Sequence, residues 1–163
     1  MKKTILIGLS ILALSCGTQK QAASATEKYS IASECPKAGQ CFVHVLKDNT
    51  IIGTPNSIGK MYYDTESKQG STVIKYLYNK KDNPAIQDDS FREEILIETT
   101  NDLTQINSNN IKVVYGMFCF CRERAGYYEV KNCTAEYKNG QVIIILPQVA
   151  EGQVTRTFTI NTK

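Results

Sequence analysis

Residues 135–146, AEYKNGQVIIIL, set Asn139 and Gly140 between two runs rich in β-branched and aromatic side chains. A two-residue type I′ turn needs positive φ at both central positions, which Asn and Gly tolerate best, so this stretch reads as a β-hairpin. Runs of the same character recur on either side of it. Upstream lie Cys41 to Leu46, Lys60 to Asp64, Ser71 to Asn79, Phe91 to Thr99, Ile111 to Arg122 and Gly126 to Tyr137; downstream lie Gln141 to Leu146 and Val154 to Ile160. Both faces of Cys41 to Leu46 are apolar, which predicts a central strand. Gly53 to Pro55 and Asn83 with Pro84 mark looser connections. Only Asp102 to Asn107 hints at helical spacing, over one or two turns. The chain therefore reads as a single all-β antiparallel domain of about eight strands, barrel-like or a sandwich, with the reading leaning to a barrel and little or no helix outside the N-terminus.

The N-terminus has a different character. Lys2 and Lys3 precede an apolar run from Ile5 to Leu14, which ends at Ala13, Leu14, Ser15 and Cys16. This is a signal-peptide layout, too short for the ~20 apolar residues of a permanent span. Residues 1–15 read as the signal, 16–26 as a modified Cys16 and flexible tether, and 27–163 as the β domain. The first 16 residues resemble bacterial lipoprotein signals, although Ala13 and Leu14 depart from the usual Leu and small residue before the cysteine. The Asn-, Lys- and Ile-rich chain resembles small lipoproteins of the Bacteroidota, in flavobacterial style. That resemblance implies acyl chains on Cys16 and a membrane anchor. Gly17 and Thr18 in place of an acidic residue imply the outer membrane, facing the periplasm. It also implies use as a binding or structural module, with an envelope protein or a glycan as partner. Cleavage before Cys16 without lipid, or after Ala25, would instead give a secreted soluble protein.

Composition narrows the chemistry. With Lys2 and Lys3 set aside, 17 of the 19 basic groups remain and nearly balance the 16 acidic ones, and they are interspersed, as in Lys80, Lys81 and Asp82. No basic stripe tracks a phosphate backbone, so nucleic acid is not an expected partner. No nucleophile elbow, HExxH or glycine-rich phosphate loop occurs, and neither a catalytic residue nor a cofactor is assigned. His44, the single histidine, reads as a structural strand residue. Glu93, Glu94 and Glu98 read as a solvated edge. Tyr62, Tyr63, Tyr76, Tyr78, Tyr115, Tyr127, Tyr128 and Tyr137 suit either a core or a binding surface, because each pairs an apolar ring with a polar tip.

Export makes disulfides expected, and Cys35, Cys41, Cys119, Cys121 and Cys133 remain in the domain. Cys35 and Cys41 flank a Pro- and Gly-containing loop that suits a local bridge. Cys119 and Cys121 lie ~6.6 Å apart on an extended strand, at the limit for bonding to each other. A hairpin tip at Ala125 and Gly126 with a bulge at Lys131 sets Cys133 opposite Cys119 and leaves Cys121 spare. That bulge also puts Tyr128, Val130, Cys133, Ala135 and Tyr137 on one face. A rival scheme ties the pair Cys35 and Cys41 to the pair Cys119 and Cys121. The alternative function is a thiol-redox or Cu/Zn protein using Cys119, Cys121, Cys133 and His44, although their spacing matches no zinc pattern.

Overall fold

A computed structural model describes residues 29–33, 35–121 and 123–162. The signal, Cys16 and the tether lie outside the described residues. Nine antiparallel strands form two sheets. The strands are β1 (Tyr29–Ile31), β2 (Gly39–Pro55), β3 (Met61–Lys80), β4 (Phe91–Thr100), β5 (Lys112–Cys119), β6 (Gly126–Val130), β7 (Thr134–Lys138), β8 (Gln141–Ile145) and β9 (Thr157–Thr162). A 3-10 turn, Leu103–Gln105, is capped by the Asp102 carboxylate and is the one helical element among the described residues. One sheet has the order β2-β3-β4-β5-β6 and the other β1-β9-β8-β7. The fold is therefore sandwich-like and not a closed barrel, because each sheet ends in two edge strands.

The core lies between the sheets. Ile74, Tyr76, Ile95, Ile97, Tyr115 and Met117 from the larger sheet meet Ala135, Val142, Ile144, Phe158 and Ile160 from the smaller. Alternation explains the choice of side chains, since residues two apart on a strand share a face. Tyr76 stacks on Phe158 across the interface, with ring centroids 4.2 Å apart. The hairpin at Asn139 and Gly140 forms as its sequence predicts, with φ of 51° and 78°.

Several elements differ from expectation. β2 is an edge strand, not a central one; Leu46 on its second face is covered by a folded-back hairpin instead of a neighbouring layer. Gly53 to Pro55 continues β2, and the turn falls at Asn56 to Lys60, where Asn56 Oδ1 accepts from the Ile58 and Lys60 amides. β3 joins the two runs read as separate strands. Conversely, the run Gly126 to Tyr137 divides into β6 and β7, which belong to different sheets, with Asn132 at φ 59° between them. β4 is the central strand of its sheet, so Glu93, Glu94 and Glu98 do not form a solvated edge. Glu93 is wholly buried between the sheets, where it accepts hydrogen bonds from Tyr115 Oη (2.7 Å) and from the Val154 and Thr155 amides.

Candidate functional site

The longest strands build the site. β2 and β3 pair regularly from Gly39 opposite Lys80 to Lys47 opposite Thr72, and then the register jumps to Asn49 opposite Ser67. Asp48 at φ 53° and Gly70 at φ 86° make the corner, and the Asp48 carboxylate accepts from the Gly70 amide (3.0 Å) and Asn101 Nδ2 (2.8 Å). Beyond that corner the hairpin lies back over the outer face of its own sheet. Ile51 and Tyr63 pack there on Val73, Leu96 and Val114, forming a second, smaller core. Polar ties reach strand after strand. Thr50 Oγ1 and the Ile51 amide donate to Glu98 on β4, Lys112 Nζ on β5 donates to the Ile51 carbonyl, and Tyr63 Oη donates to Glu129 on β6.

Between the tip of this hairpin and the β5–β6 connection runs a cleft of about 890 Å³. Tyr62, Tyr63, Phe118 and Tyr127 form its aromatic lining, with Ile58 and Met61 on the hairpin side and Glu123 and Glu129 opposite. Tyr127 is the hub: its ring centre lies 6.2 Å from that of Tyr62, 5.5 Å from Tyr63 and 5.2 Å from Phe118, with interplanar angles of 71°, 68° and 82°. Two glycines permit this arrangement. A Cβ on Gly116 would fall 2.8 Å from both Tyr127 and Phe118, and one on Gly53 would fall 2.9 Å from Tyr63 and Met61, so each ring lies close against bare backbone. Arg92 covers Phe118, its guanidinium carbon 4.4 Å from the ring centroid.

The Tyr63 and Tyr127 hydroxyls stay protonated at neutral pH. Burial, with the nearby Glu94 charge, pushes the Tyr127 phenol up to about 12, and burial followed by the hydrogen bond to Glu129 raises that of Tyr63. Glu94 itself is paired with Lys75 Nζ at 2.9 Å. The cleft therefore combines ring surfaces, phenolic donors and two exposed carboxylates.

The residues singled out in the sequence are distributed otherwise. Cys35 bonds to Cys41 as expected from the loop between them, with Cα atoms 5.7 Å apart. The second bridge joins Cys119 to Cys121 (Cα atoms 5.1 Å apart), and Cys133, not Cys121, is the free cysteine among the described residues. Register is the reason. Met117 stands opposite Gly126 and Val113 opposite Val130, so the hairpin closes before Cys119, whose partner is Phe91 on β4. Cys133 follows the corner into the other sheet, where burial pushes its thiol up to about 11.

His44 is exposed on β2, three strands from β5 and hence about 14 Å away across the sheet. The set Cys119, Cys121, Cys133 and His44 is not assembled, and the described residues hold no group of three or more His, Cys, Asp or Glu side chains placed to bind a metal. The tyrosines divide by face. Tyr76, Tyr78 and Tyr115 are buried in the sandwich with Tyr137 packed beside them, Tyr62, Tyr63 and Tyr127 serve the cleft, and Tyr128 borders both. Phe118 has no signal of its own in the sequence, but Gly116 inside a strand of large residues does: it marks a close approach. Comparison with known proteins finds no family model, no curated relative and no solved structure that matches the chain.

Proposed function

We propose that this chain is a recognition module of the bacterial cell envelope, exported by its N-terminal signal, held by lipid on Cys16, and binding its partner in the aromatic cleft. The cleft is the observation that carries the reading. Its size suits a small ligand or an inserted segment of a larger one, and Tyr62 is half exposed on its wall, at 53 %. An exposed tyrosine on a paired strand offers contact area at low entropic cost, a common basis for binding.

The chain's entry point supports the anchored arrangement. Tyr29 pairs with Thr162 on the edge of the four-stranded sheet, whereas the cleft lies on the outer face of the five-stranded sheet. A tether leaving Tyr29 thus starts on the layer away from the cleft.

Two measurements test the proposal. Intact mass of protein extracted from membranes should show a first residue Cys16 carrying acyl chains; an unmodified N-terminus removes the anchor. A photoreactive residue at Tyr62 should crosslink to an envelope component that the same probe at Asn161, on the other sheet, does not capture. Equal capture at both positions would count against the cleft.

A further inference from the structure

We infer that the cleft takes a neutral glycan, a reading that rests on the cleft being the binding site. Charge is the first argument. Glu123 and Glu129 face the cleft against Lys60, so a phosphate or polyanion would meet two carboxylates. A polycation fares no better: Lys60 offsets one of the two carboxylates and leaves a single net charge, and the Phe118 ring is already covered by Arg92. The remaining class is uncharged.

Shape is the second argument. Rings that stand at 68° to 82° to Tyr127 give a trough with an aromatic floor and aromatic walls, not one continuous apolar groove. A pyranose matches such a trough, since one of its faces presents weakly positive C–H groups to the negative face of a ring. Its rim of hydroxyls then needs acceptors and donors side by side. Glu129 has a free oxygen and Tyr62 a free phenol at that rim, because among the described residues Glu129 uses Oε1 for Tyr63. Backbone supplies the depth: Gly116 and Gly53 let Tyr127 and Tyr63 lie lower than any side-chain-bearing residue would allow.

The test uses the full mature chain carrying Cys16→Ser, titrated with cellohexaose, chitohexaose and mannohexaose, with hexagalacturonate and hexalysine as charged probes. Saturable binding of at least one neutral oligosaccharide is expected with Kd at or below about 1 mM. Amide signals of Tyr62, Tyr63 and Tyr127 should move. Tyr62→Ala should weaken it by about tenfold or more, and Glu129→Gln should weaken it measurably; both positions are exposed, so folding survives. Absence of binding by all three neutral sugars, indifference to Tyr62→Ala, or tighter binding of a charged probe would each overturn the inference. If the sugars fail while a photoreactive residue at Tyr62 still captures a protein, the glycan is wrong and the cleft stands. If both fail, the cleft is not the site.

Discussion

Replacing Glu98 with Ala should release the folded-back hairpin while leaving the sandwich beneath it intact. The Glu98 side chain is 15 % exposed, and its carboxylate accepts from Thr50 Oγ1 at 2.7 Å, the Ile51 amide at 3.0 Å and Ser71 Oγ at 3.1 Å. Lys68 Nζ lies at 3.5 Å but is 60 % exposed and adds little. Two of these bonds, from Thr50 and Ile51, tie the hairpin to β4. Hydrogen bonds to a charged group contribute about 1.5–3 kcal/mol each when fully buried; these two are only part-buried, so about 2–4 kcal/mol of latch is lost. At about 1.4 kcal/mol per tenfold, opening becomes roughly 30- to 700-fold more frequent. A lone hairpin is marginal in water, so its ladder amides, such as those of Ile52 and Asp64, should exchange faster by that factor, while those of Ile74 and Ile95 stay protected.

The pH dependence follows with its sign. Burial pushes the Glu98 carboxyl up, but the Ile51 amide, the Thr50 and Ser71 hydroxyls and the Lys68 charge together outweigh it and hold the group below its ordinary 4.5. A carboxyl depressed in the folded state stabilises above its unfolded value and loses that contribution as pH falls through the folded one. Acid should therefore loosen the hairpin in the native chain and not in Glu98→Ala. The reasoning is refuted if Glu98→Ala leaves Ile52 and Asp64 exchange within about threefold of the native rate. It is refuted equally if Ile74 and Ile95 lose protection in step with them.

Glu93→Ala should cost about 3–5 kcal/mol in urea unfolding, because it strands the Tyr115 hydroxyl and the Val154 and Thr155 amides at the interface of the sheets; a loss under about 1 kcal/mol would show them satisfied elsewhere. Cys35→Ser with Cys41→Ser opens a bridge of sequence separation 6, so the loop-entropy relation gives a loss of about 2 kcal/mol, to be checked by thermal unfolding under non-reducing conditions. Gly116→Ala puts a methyl 2.8 Å from Tyr127 and Phe118 and should destabilise by about 1–3 kcal/mol; unperturbed Tyr127 ring resonances would contradict the close approach. A thiol assay should find no reactive thiol in the native domain and one after unfolding, from Cys133, whereas peptide mapping that joins Cys133 to Cys119 would reverse the pairing.

Alternation made the strands legible, because it records which residues share a face, and the Asn139-Gly140 hairpin was legible because its φ values restrict the residue types. Edges were less so. Leu46 makes β2 look central, yet what covers Leu46 is a hairpin returning over the sheet, a long-range event with no local pattern. Glu93 and Glu98 carry the same difficulty in reverse: a carboxylate on a strand looks solvated until the hydroxyls and amides that meet it are known, and Thr50 and Val154 lie more than 40 residues away. Of the cleft, the adjacent Tyr62 and Tyr63 and the strand glycine Gly116 were visible, but not that they converge.

One corner accounts for the course of Cys133. A bulge at Lys131 correctly puts Tyr128, Val130, Cys133, Ala135 and Tyr137 toward one core, since all five pack between the sheets. Parity, however, does not distinguish a bulge within one sheet from a change of sheet, because both shift the alternation by one residue. Asn132 at φ 59° makes it a change of sheet, and Cys133 leaves with β7. β6 is then only five residues long and pairs from Gly126 opposite Met117. Phe118, Cys119 and Cys121 are left outside the β5–β6 ladder, where Cys119 bonds to Cys121 and Phe118 meets Tyr127. The β5–β6 register that denies Cys119 its expected partner thus also leaves the wall against which the folded-back hairpin closes the cleft.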